Sequence, residues 1–129
     1  MDSKTLVNGF DAELGRKAVE AFDKGGLEVK AALWFYFSDA QEWRLLVATP
    51  LYDAEGPLKA YTRVSEVLAQ ESLADDLPLS RVAVVSPQQP QIALLRSAVS
   101  IGPKIDGIRF QRNVINGVLI EDAFIYKLQ

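Results

Sequence analysis

Cysteine and histidine are both missing from the 129 residues, and these two gaps exclude more chemistry than any motif present includes. Without Cys there is no disulfide, no thiolate nucleophile, no iron–sulfur cluster and no cysteine zinc site. Without His the commonest general base and the commonest transition-metal ligand are gone. Ser-His-Asp and Cys-His mechanisms are therefore closed to this chain. Any catalysis has to run on carboxylates, Lys, Tyr, Ser or Thr, with a hard, oxygen-liganded cation as the remaining helper. No motif calls for a cofactor, and none is expected.

Long apolar runs are missing too. The longest uncharged one, Ala31 to Phe37, is seven residues, against the roughly 20 that span a bilayer. Asp2 stands near the start, where an export signal has bare positive charge. The expectation is a cytoplasmic protein that does not enter a membrane. Lys and Arg (14) fall short of Asp and Glu (17), for a net charge of -3, so no overall field draws the chain to nucleic acid and none is expected as a partner. The 49% hydrophobic and 24% charged content suits one ordinary globular domain over residues 1–129 rather than disorder or a coiled coil.

The apolar spacing gives the order of elements. Leu14, Ala18, Val19, Ala21 and Phe22 recur at helical spacing within Asp11–Lys24, and Gly25-Gly26 ends that helix. Glu28 to Phe37 reads as a strand apolar on both faces: Val29, Ala31, Leu33, Phe35 and Phe37 on one, Ala32, Trp34 and Tyr36 on the other. Such a strand is either central with both faces covered, or covered on one side by its own helices and on the other by a second subunit. Trp43 to Pro50 is a second strand, joined to the first through Ser38–Glu42. From Pro57 the period changes to that of a helix, with Leu58, Tyr61, Val64, Val67 and Leu68 on one stripe. Arg81–Ser86 reads as a buried strand and Pro90–Ser100 as a third helix. Asn116-Gly117 is the pair favoured in two-residue type I′ turns and predicts a hairpin of Ile108–Ile115 with Val118–Leu128. That turn sets Arg112 opposite Glu121, Phe110 opposite Ala123 and Gln111 opposite Asp122, and lets Arg109 reach Asp122 diagonally.

The fold expected is α+β, with a mixed α/β sheet possible, in the order α-β-β-α-β-α-β-β, with about five strands and three helices. If the strands flanking the second helix are parallel, the loops that follow them emerge at one sheet edge.

Two sets of residues are candidates for function, and no catalytic residue or metal ligand is assigned. Thr49, Tyr52, Asp53 and Glu55 lie in the loop after the second strand, and Ser86 and Gln88 in the loop after the third. Each loop precedes a helix N-terminus, whose unpaired N–H groups favour an anion. They make either a small-ligand pocket or a pair of helix caps, with Asp53 or Glu55 capping the second helix and Ser86 or Gln88 the third. Trp34, Tyr36 and Trp43 form an aromatic set suited to core packing or to self-association. The reading these support is a small non-catalytic binding or interaction module acting as a homodimer, with a further protein partner possible. The alternative is a small metal-assisted hydrolase or ligand-binding enzyme using carboxylates of the 49–56 loop. Glu121, Asp122 and Lys127 do not have the spacing of a metal-dependent nuclease, because Lys127 lies about 20 Å along the strand from Glu121.

Overall fold

A computed structural model of the chain describes residues 9–98 and 108–129. Helix α1 (Gly9–Lys24) buries Leu14, Ala18, Val19, Ala21 and Phe22 along one stripe. Its end follows from Gly26, whose φ of 81° lets the Leu27 N–H reach back to the Phe22 carbonyl at 3.0 Å. Strands β1 (Ala31–Phe37) and β2 (Glu42–Ala48) pair antiparallel, with Tyr36 opposite Trp43 and Ala31 opposite Ala48. Strand β1 starts three residues later than the pattern suggests.

The segment expected as a loop at 49–56 is a short helix, α2 (Pro50–Glu55), entered through Thr49, whose Oγ1 accepts the Leu51 N–H at 3.2 Å. With no fully buried residue in its six, α2 has no apolar stripe for a periodicity argument to find. Helix α3 (Pro57–Gln70) follows at once through Gly56, with φ 90°. No side chain caps α3, which corrects the expectation that Asp53 or Glu55 does so: both are already inside α2. A 3₁₀ turn (Leu79–Arg81) leads into β3 (Val82–Val85), then α4 (Pro90–Ala98). Strands β4 (Ile108–Ile115) and β5 (Val118–Leu128) close the hairpin through Asn116 and Gly117, at φ 51° and 81°. Their register matches the one the turn dictates, with Phe110 opposite Ala123 and Gln111 opposite Asp122. The expected Arg112–Glu121 ion pair and the end of the third helix at 99–100 lie outside the described residues.

The five strands among the described residues form one sheet in the order β3-β2-β1-β5-β4, in which β2 and β3 run parallel and the other described pairs antiparallel. The protein is α+β, with four α-helices among the described residues where three were expected. Strand β1 is central and covered on both sides. On one side α1 and α3 pack over Ala32, Trp34, Leu45, Val47, Val84 and Tyr126. On the other, Ile92 and Leu95 of α4 seal Leu33, Phe35, Leu46, Ile125 and Leu128.

A bulge in β5 interrupts the alternation that would otherwise sort these side chains. Ala32 pairs with Lys127 and Leu33 with Ile125, so Tyr126 is the extra residue. Tyr126 and Lys127 are therefore consecutive, yet both turn to α1. The Tyr126 hydroxyl donates to the Ala12 carbonyl at 2.5 Å, and Lys127 Nζ lies 3.3 Å from both carboxylate oxygens of Asp23. Gly15 gives α1 its close approach, since a methyl at that position would stand 2.6 Å from Trp34 Nε1.

Candidate functional site

The parallel pairing of β2 with β3 brings the two expected loops together. The Thr49 N–H donates to the Val85 carbonyl at 3.0 Å, and the Ser86 hydroxyl donates to Asp53 Oδ2 at 3.0 Å. Ser86 Oγ in turn accepts the Gln88 N–H at 3.0 Å. Gln89, not Gln88 or Ser86, holds the first turn of α4: its Oε1 accepts the Gln91 and Ile92 N–H groups at 2.9 and 3.3 Å.

The six residues nevertheless do not converge on one pocket. Asp53, Ser86 and Gln88 form a small hydrogen-bonded cluster across the tops of β2 and β3. Tyr52 packs against the α1/α3 layer. Thr49 and Glu55 instead line a groove of about 710 Å³ between α2, α3 and the turn after α1, with Leu27, Leu51 and Leu58 as its apolar lining. Its rim charges are matched within the chain. Lys59 Nζ sits 3.3 Å from Glu55 Oε1, Arg63 Nη1 lies 3.6 Å from Glu66 Oε1, and the Arg63 guanidinium also donates to the Gly25 carbonyl. Among the described residues, no three acidic side chains gather in a way that could hold a metal ion. The groove was not legible from sequence, because its walls come from three segments whose closeness depends on the order of the strands.

The aromatic set also divides. Trp34, expected as a possible interface residue, is fully buried beneath α1. Its Nε1–H is shared between the Asp11 carbonyl and the Tyr126 hydroxyl, each at 3.1 Å, and the Arg81 guanidinium lies over its ring at 4.9 Å. Burial pushes the Tyr126 phenol above its ordinary value, and the Trp34 N–H it accepts offsets this only in part. Tyr36 is buried as well, against Trp43 at 5.5 Å between ring centres. Trp34 and Tyr36 are thus held inside one chain, because α1 and the neighbouring strands already cover them. Trp43 is half-buried, with its Nε1 unpaired among the described residues. The Arg109 guanidinium lies 5.9 Å from its ring and binds Asp122 through two hydrogen bonds, the diagonal contact expected from the hairpin register.

Among the described residues, several large apolar side chains are exposed on the last hairpin. Val114 is 67% exposed, Leu119 56%, Val118 50% and Ile108 38%. Val114 and Leu119 face each other across the hairpin, and among the described residues no strand lies beyond β4. No helix among the described residues is long and apolar enough to cross a membrane. Comparison of the chain with protein families, with curated proteins and with solved structures finds no match.

Proposed function

We propose that the protein is a non-catalytic interaction module that acts as a homodimer through its last hairpin. The observation that carries this reading is the exposed pair Val114 and Leu119, facing each other across a hairpin whose β4 has no strand beyond it among the described residues, with Val118 exposed at the turn and Ile108 at the other end of β4. Scattered exposed apolar residues are ordinary, but a facing apolar pair beside a strand edge with no neighbour among the described residues favours an interface. The carboxylates of the 49–56 corner support catalysis less well, since Asp53 accepts from Ser86 and Glu55 is paired with Lys59.

Sedimentation at micromolar concentration tests the reading. The expected result is a dimer for the natural sequence and a monomer for Val114→Asp with an unchanged circular dichroism spectrum, because Val114 contributes little to the core. A monomeric natural protein overturns it. A saturating rise in melting temperature with manganese, lost in Asp53→Asn, would overturn it in favour of the metal-assisted hydrolase.

A further inference from the structure

Strand β4 is self-complementary in one register only. The two-residue turn makes Ile115 and Val118 a hydrogen-bonded pair, so bonding to β5 falls on every second residue: Ile115, Asn113, Gln111 and Arg109. Ile108, Phe110, Arg112 and Val114 consequently turn their N–H and C=O groups to the edge beyond which no strand lies among the described residues. A second copy of the strand presents the same row.

Symmetry restricts how the two rows can meet. A two-fold axis that sets identical strands antiparallel stands normal to the sheet and keeps every residue on its own side, so one residue must face its own copy at the centre. A register centred on Arg112 puts two like charges opposite each other and leaves Ile108 against the Asn116 turn. A register centred on Phe110 leaves Val114 opposite position 106, outside the described residues. Centred on Gln111, every outward residue finds a partner: Ile108 faces Val114 and Phe110 faces Arg112, each twice, while Arg109 faces Asn113. The same register joins the two exposed apolar positions of β4, giving a row of Leu119, Val114, the partner's Ile108 and the partner's Ile125 across four strands.

We infer that two copies of this chain pair antiparallel along β4 with Gln111 on the two-fold axis, making one continuous ten-stranded sheet. This inference rests on the proposed homodimer and specifies where and how it forms.

The lack of cysteine makes the register directly readable. Gln111 and its copy would be a non-hydrogen-bonded antiparallel pair with Cα atoms about 4.5 Å apart, inside the range a disulfide bridges. Asn113 and its copy would be offset by four residues, about 13 Å, which is out of reach. Under mild oxidation at micromolar concentration, Gln111→Cys should give a disulfide-linked dimer at least tenfold faster than Asn113→Cys. The double variant Ile108→Cys/Val114→Cys should link as well, which keeps the test open if Gln111→Cys folds poorly. A sedimenting dimer that fails to link in both the Gln111→Cys and double variants, or links equally fast at Asn113→Cys, overturns the edge register and leaves the homodimer standing. A monomer overturns both.

Discussion

The two sides of the sheet are built on different principles. The α1/α3 side is large, aromatic and tied by directional bonds: Trp34 to Asp11 and Tyr126, Tyr126 to Ala12, Lys127 to Asp23, and the Tyr61 hydroxyl to the Val84 N–H at 3.0 Å. The α4 side is aliphatic apart from Phe35 and Phe37, and among the described residues no buried side-chain hydrogen bond crosses it. Directional bonds fix one arrangement and are costly to break inside a low-dielectric core, whereas aliphatic packing is graded and tolerates rearrangement at constant volume. The first side sets where α1 sits, and the second supplies burial.

The largest effect that would test this contrast is Trp34→Ala. It should cost about 3–5 kcal/mol by urea unfolding, enough to unfold a marginal domain, and a small cost would mean that Trp34 is not the anchor of α1. Next comes Tyr126→Phe, which removes one oxygen, leaves the Ala12 carbonyl without its donor, and should cost about 1–3 kcal/mol. That variant also carries a pH signature. The folded phenol keeps its proton to higher pH than the unfolded one, so above about pH 10 the native state holds more protons and stability falls as pH rises. Below about pH 10 this contribution is intact, and in Tyr126→Phe the alkaline decline should be shallower. The smallest effect belongs to the other side: Leu95→Met, which nearly conserves volume beneath α4, should cost less than about 1.5 kcal/mol. A Leu95→Met cost above that of Tyr126→Phe would erase the distinction between the layers.

Much of the fold was legible because several local signals pointed the same way. Gly25-Gly26 ended α1, Pro57 opened α3, and Asn116-Gly117 fixed the hairpin and its register. The both-sided apolarity of 31–37 marked the central strand. Helix α2 escaped because it has no buried stripe, and the bulge at Tyr126 escaped because alternation alone would have turned Lys127 to the α4 side and hidden its pairing with Asp23. The candidate site was legible only as a neighbourhood. Sequence brought Asp53 and Ser86 to one sheet edge, but the way α2 leaves Thr49 decides that Glu55 turns into the groove and Asp53 away from it.

The junction of β1 with β5 carries a consequence for how the chain is made. Strand β1 sits beside a strand more than eighty positions later, and Ala12, Asp23 and Lys30 are each held by residues 126–129. During synthesis from the N-terminus, α1 through α4 can emerge with β1 paired only to β2, and its other edge and the aromatic anchor of α1 wait for β5. Contacts this distant in sequence are slow to close, so a nascent or truncated chain would expose Trp34 and an unpaired β1 edge until β5 arrives. An aggregation-prone surface of this protein is thus an interior one, open only until β5 is in place.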